Sequence, residues 1–392
     1  MVIAESIGQR QAISDDLIKV DVRKKYTPKK ELILQDFMDV EYVALETNDD
    51  FLNQGIVQDV GGEFILVRNR INDGDIFIYN RKGKALKKIN RRGQGPEEYT
   101  NISKVFLDEE NAEIFVNDYH IKKVIVYDLN GKFKRSFRHQ EVATYNQMYN
   151  FDKDNFICHD MYTQYITLMN EERTVPTILI VSKKDGSITK GISIPFKQAK
   201  EPMILIFGSS NNITNHADIP WEPIVHYRGN WILVEPSADT LYSYMSDHTM
   251  TPFIVRTPSI QSMNPEVFLF PFILTDRYFF LQSVKKEYNF ETRSGFPTTN
   301  LMYDRQEKTI HDYTVYNGDF SIKSPMYLNR RTFINDEVVF VYKYEAHFLL
   351  ESLENGQLKG KLKEVAAKLD AENNPVLMLV KHKNSSKLAA TN

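Results

Sequence analysis

The stretch that decides the fold is Ala112-Glu113-Ile114-Phe115-Val116, followed by Ile125-Val126-Tyr127-Asp128-Leu129-Asn130-Gly131 and by Phe133 to Phe137. A turn residue opens a dense apolar run, a second apolar run ends in Asn-Gly, and a third short run follows. Asn-Gly is a strong hairpin signal, because a two-residue type I′ turn needs positive φ at both of its positions. The last two runs therefore read as a hairpin, with one strand before it. The hairpin half recurs at Phe77-Ile78-Tyr79-Asn80-Arg81-Lys82-Gly83 and at Ile180-Val181-Ser182-Lys183-Lys184-Asp185-Gly186, the latter leading into Ile188 to Ile192.

The opening run returns at Gly62-Glu63-Phe64-Ile65-Leu66-Val67, Asp154-Asn155-Phe156-Ile157-Cys158 and Gly229-Asn230-Trp231-Ile232-Leu233-Val234. It returns again at Asp276-Arg277-Tyr278-Phe279-Phe280-Leu281 and Asp336-Glu337-Val338-Val339-Phe340-Val341. Six occurrences at a mean step of about 55 residues lie close to the spacing of propeller blades. A run apolar on both faces is what an inner strand needs when neighbouring sheets cover it on each side. The expected architecture is all-β, a six-bladed propeller, with residues 54–350 forming blades. A two-sheet sandwich with a helical appendage is the rival, but six recurrences of one strand pattern overfill one sandwich.

The ends of the chain fit the same scheme. Leu358, Leu362, Val365 and Leu369 recur at helical spacing and predict an amphipathic helix across 352–372, begun near Asn355-Gly356 and stopped by Asn374-Pro375. After it, 375–383 reads as a strand without a hairpin partner. Val40-Glu41-Tyr42-Val43-Ala44-Leu45-Glu46, within 36–50, supplies one, so the N-terminal strand is expected to close the ring in the last blade. Residues 1–35 read as an N-terminal extension and 384–392 as a disordered polar tail.

Composition narrows the function. Forty-nine Lys and Arg against 52 Asp and Glu give a net charge of −3, which argues against a nucleic-acid partner. No apolar run approaches the roughly 20 residues that cross a bilayer. The single cysteine, Cys158, sits in an apolar strand and reads as a packing residue. Met1 to Ser14 has no apolar signal-peptide region, so the expectation is either a cytoplasmic protein or a targeting segment missing from this chain.

With these pieces placed, the Tyr-x-x-x-Gly-Lys hairpin in 112–137 resembles an NHL-type propeller repeat. The connector Arg92-Gly93-Gln94-Gly95-Pro96-Glu97-Glu98-Tyr99 and the later Asp239-Thr240-Leu241-Tyr242 resemble those of an uncharacterised six-bladed propeller family widespread in Bacteroidetes. So do Gly360-Lys361-Leu362-Lys363-Glu364 and Asn374-Pro375-Val376-Leu377-Met378-Leu379-Val380. The similarity runs from about Asp16 to Lys383. It implies a fold and a lineage, and a periplasmic or cell-surface location through a secretion or lipoprotein signal, with a possible lipid anchor, on the full-length precursor. It carries no catalytic residue over.

Candidate binding residues follow from position. Gly93 and Gly95 beside Arg91 and Arg92 form a possible anion cradle, but no helix opens after them, and the plainer reading is a crossing between blades with Glu97 and Tyr99 shaping its rim. Asp118 with His120, and His159 with Asp160, follow inner runs and should lie near a face, unless they only cap turns. The longest interval between inner runs holds His216, Asp218, Trp221, Glu222 and His226, a possible ligand loop. Lys285, Lys286, Glu287, Tyr288, Asn289, Phe290 and Arg293 lie between the second and third strands of the fifth blade and bring rings and cations together. No histidine pair has metal-ligand spacing and no nucleophile elbow occurs. The leading expectation is a non-enzymatic binding or scaffold propeller for a peptide, protein or glycan, needing no cofactor. The alternative is a metal-assisted lyase or hydrolase with Ca, Zn or Mg held in the axial channel by converging side chains.

Overall fold

The computed structural model describes residues 17–70, 72–140, 143–163, 175–208, 213–328, 335 and 337–383. Residues 1–16 and 384–392, on which the targeting and tail expectations fall, lie outside them, as do Asn211 and Asn212. Six sheets follow one another along the chain. Blade 1 takes Ile56–Val60, Phe64–Arg68, Asp75–Asn80 and Ala85–Asn90, and blade 2 takes Lys104–Asp108, Glu113–Asp118, Lys123–Asp128 and Phe133–Arg138. Blade 3 begins with Tyr145–Asn150 and Asn155–Asp160, blade 4 with Ile224–Tyr227 and Asn230–Leu233, and blade 5 with Val267–Leu274 and Tyr278–Lys285. Blade 6 contains Val338–Tyr344, Val376–His382 and Met38–Ala44.

The packing explains the apolar runs. Successive residues of a strand point to opposite faces, and each face here meets a different neighbour. Ile65 and Val67 pack against Leu377 and Leu379 of blade 6, whereas Leu66, between them, packs against Val105 and Ile114 of blade 2. One strand on, Ile114 and Val116 face blade 1 and Phe115 faces Phe156 of blade 3. Among the described residues most buried apolar side chains fall into six clusters, one for each junction between adjacent blades, including one that joins blade 6 to blade 1. Each large side chain buried this way contributes about 1.5–3 kcal/mol. In blades 1 to 5 the recurring run is the second strand of its blade, not the innermost. The first strands of blades 1 and 2, 2 and 3, and 4 and 5 touch one another. Cys158 is fully buried between blades 2 and 3, and burial raises its thiol pKa well above the ordinary value.

The ring closes as the sequence indicates. Tyr42 pairs with Met378 and Val43 with Leu377 in an antiparallel register along Met38–Ala44. The N-terminal extension, however, is part of the sheets. Ile18–Asp21 adds in parallel to the outer strand of blade 4, and Lys30–Ile33 does the same to blade 5. The chain thus straps the outer edges of blades 4 and 5 before closing the ring in blade 6. The long interval before Trp231 is also not irregular, because Met203–Phe207 and Ile213–Asp218 pair as a hairpin of their own.

The helix expected over 352–372 is two shorter ones, Ala346–Glu354 and Gly360–Ala366. Gly356, at φ +66°, ends the first, with its amide donating to Leu353 O at 3.0 Å and that of Gln357 to Ser352 O at 2.8 Å. Leu358 then bridges to Phe320 and the Lys359 amide donates to Asp319 O, which fixes the break. Leu362 still faces the core, as its periodicity requires.

Candidate functional site

Most of the side chains singled out near the connectors hold backbone. Asp118 ends the second strand of blade 2 and is fully buried. Its Oδ2 accepts the Thr100 amide at 2.8 Å, the Thr100 hydroxyl at 2.7 Å and the Asn101 amide at 2.9 Å. Asp160, at the same place in blade 3, accepts the amides of Thr144 and Tyr162 and the hydroxyl of Thr163. Asn69, just past the second strand of blade 1, accepts the Gln54 amide. In each case a side-chain oxygen ties down the connector entering that blade's first strand, which is capping work. Tyr99 is likewise consumed: its hydroxyl donates to Gly74 O at 2.6 Å and accepts the Arg91 amide, and burial pushes its pKa up to about 12.

The Gly93-Gly95 loop holds no anion cradle, because the Glu98 carboxylate occupies it, accepting the Gly95 amide at 2.8 Å and leaving no room for a Cβ at Gly93. Arg92, Glu97 and His120 are exposed, and the His120 ring packs at a tilt on Tyr119. Tyr288 packs on Phe290 and Phe296, and Arg293 stands exposed at a turn with φ +52°.

The cluster from 216 to 226 is divided. His216 is exposed on the extra hairpin, 3.7 Å from Asp218. Trp221, Glu222 and His226 instead turn toward the ring. Trp221 stacks on Phe270 and meets His159 edge-on, the Glu222 carboxylate accepts the Gln147 amide at 2.6 Å, and His226 meets Trp231 edge-on. They join charges that sequence reasoning missed, Asp59 and Lys104, which stand on the first strands of blades 1 and 2. Burial raises the Asp59 carboxyl to about 6 despite amide donation from Leu107 and Val60, and it lowers Lys104 to about 8 against the pull of Asp59 and Glu222. Beside them a hollow of about 400 Å³ opens where first strands turn into second ones, lined by Asp59, Lys104, Tyr149, Lys183, His226 and Trp231. Among the described residues no group of three His, Cys, Asp or Glu converges as metal ligands would.

A larger feature lies on the rim of blades 4 to 6. Three hollows of about 570, 540 and 630 Å³ share walls in turn: Val22, Arg23, Thr298 and Thr299 between the first two, Pro325, Met326 and Tyr327 between the second and third. The third is aromatic. Phe320, Tyr342, Tyr344 and Phe348 line it, with the Tyr344 and Phe348 rings stacked at 9°, and Ile322, Tyr327 and Phe348 stand 57%, 59% and 43% exposed. The middle one is basic, bordered by Arg23, Lys24, Lys25 and Lys29 on the loop that carries the chain from blade 4 to blade 5. Tyr26 anchors that loop by exchanging hydrogen bonds with the Asp21 backbone.

Six cations and two acids, Asp312 and Glu345, line the three hollows of a chain whose net charge is −3. Lys285 and Lys343 are paired with glutamates and Arg23 lies 3.5 Å from Asp21, but among the described residues Lys24, Lys25 and Lys29 have no ion-pair partner. The run Arg23-Lys24-Lys25 followed by Lys29-Lys30 is visible in the sequence as a cluster. Its union with Tyr327 and Phe348 is not.

Six sheets ringed about an axis and closed by strands from both termini define a six-bladed β-propeller. The profile of one family, a domain of unknown function designated DUF4934, matches residues 17–381, and the chain belongs to that family. Among solved structures it is similar to one from Bacteroides fragilis described as a putative exported protein. The two are 16% identical with a TM-score of 0.60, and the match covers 94% of this chain and all of the other. A member of the DUF4221 family from Bacteroides vulgatus is 12% identical, with a TM-score of 0.48, covering 90% of this chain and all of that one. At these identities the first likeness shows the fold alone. No curated protein matches the sequence significantly.

Proposed function

We propose that this propeller is a non-enzymatic binding protein that works outside the cytoplasm and holds a peptide, protein or glycan in its rim cleft. The observation that carries the reading is the aromatic end of that cleft, where Tyr327 and Phe348 present rings to solvent instead of burying them. Exposed rings grouped in a concave surface are a recurrent feature of ligand sites. Asp118, Asp160 and Tyr99 support it from the other side, since their polar atoms are engaged in holding connectors. The reading needs no metal or organic cofactor, and the net charge stands against nucleic acid. The exported description of the Bacteroides fragilis protein supports an extracytoplasmic location.

The test is a broad glycan and peptide array probed with the purified chain and with Phe348→Ala. Binding by the parent and a loss of about fivefold or more in the variant are expected. An array on which the parent retains nothing overturns the proposal.

A further inference from the structure

We infer that the rim cleft takes an acidic oligosaccharide, a chain of sugar rings bearing carboxylate or sulfate groups. The inference rests on the binding reading above and narrows its ligand to one class. Three hollows in a row with shared walls suit an extended ligand of several units better than a single small molecule. The two ends differ in chemistry. A pyranose has an apolar face that stacks on an exposed ring such as Tyr327 or Phe348 and an equator of hydroxyls that needs hydrogen-bonding partners. Thr298, Thr299 and Asn300 supply such partners along the middle hollow. Lys24, Lys25 and Lys29 line the same hollow, and the Lys24 ammonium lies 5.3 Å from the centre of the Tyr26 ring. Three lysines without a salt bridge among the described residues, beside hydroxyl-binding side chains, match a ligand that carries both anionic groups and hydroxyls.

An acidic peptide is the competing occupant. Extended peptides often gain affinity by adding a strand to an open sheet edge. Here the outer edges of blades 4 and 5 are already covered by Ile18–Asp21 and Lys30–Ile33, four residues each. Strands so short are poor templates for further pairing. The cleft must therefore recognise its ligand through side chains, which favours sugar rings over a peptide backbone.

The experiment is calorimetric titration of the full chain with four probes. Two are acidic, oligogalacturonate and chondroitin sulfate fragments; maltotetraose is neutral; a poly-glutamate peptide is acidic without sugar rings. We expect the chain to bind at least one acidic oligosaccharide, weakening as salt rises, with maltotetraose and poly-glutamate at least tenfold weaker. Lys24→Glu combined with Lys25→Glu should cost about tenfold on the acidic sugar, and Tyr327→Ala about fivefold. Both sites are exposed, so circular dichroism should confirm an unchanged fold. Equal binding of maltotetraose, untouched by the charge reversals, overturns the acidic class and leaves the binding reading standing. Tighter binding of poly-glutamate overturns it in favour of peptide. Binding of none of the four, while the array still yields a ligand, overturns this inference alone; silence on both overturns the parent reading as well.

Discussion

At the scale of single residues, the polar side chains of this ring divide into those that hold backbone and those left facing solvent. His139 shows the first kind at its most committed. It is buried, its Nε2 lies 2.8 Å from Asn117 Oδ1, its Nδ1 accepts the Tyr145 amide at 3.3 Å, and its ring packs on Tyr145. Burial, reinforced by Lys122, lowers its pKa from 6.5 to about 4. The unfolded chain therefore binds a proton between pH 6.5 and 4 that the folded chain refuses, and the contribution of this site to stability is lost as pH falls through that window. In urea melts, the stability of the parent minus that of His139→Gln should shrink by about 2–3 kcal/mol from pH 7 to pH 4; a difference independent of pH would refute the burial of a neutral ring. Asp118 and Asp160 teach the related lesson about sequence. Their position after an apolar strand was legible, but a site carboxylate and a capping carboxylate look alike until the amides of Thr100, Asn101 and Thr144 are placed opposite them.

At the scale of elements, turns fix how closely strands approach. Gly83, at φ +81°, lies in the hairpin between the third and fourth strands of blade 1, and its carbonyl accepts the Glu46 amide from the end of the closing segment at 2.8 Å. A Cβ there would run into the Ala44 carbonyl, whereas a Cβ at Gly356, also at positive φ, would meet nothing within 4 Å. Gly83→Ala should cost about 3 kcal/mol or more and Gly356→Ala only about 1 kcal/mol, both read from denaturant unfolding. Equal costs would mean that the approach of blade 1 to the closing strand is looser than described. The split helix belongs to this scale too. The apolar spacing of Leu358, Leu362 and Val365 showed which face is buried, but the break depends on Phe320 and Asp319, some 40 residues earlier, and leaves no local periodic trace. The parallel strands Ile18–Asp21 and Lys30–Ile33 were hidden for a similar reason, being too short to show a period.

At the scale of the molecule, closure couples the termini. Because Val376–His382 lies between Val338–Tyr344 and Met38–Ala44, deleting residues 375–392 removes the middle strand of the described part of blade 6 and opens two interblade cores at once. The truncated chain should lose its cooperative thermal transition and its solubility as a monomer; survival of a single transition at the parent midpoint would show that the ring does not need this closure. The number and nature of the sheets and the pairing of the two ends were legible in the residue pattern alone, because repeated strands apolar on both faces need neighbours on both sides and a ring supplies them without free ends. The position of the rim cleft came from the packing of the blades instead. The basic loop at 23–29, Thr298, Tyr327 and Phe348 are separated by up to about 320 residues along the chain. Their meeting in one cleft follows from how blades 4, 5 and 6 are strapped together, a relation between elements that no local pattern of residue types records.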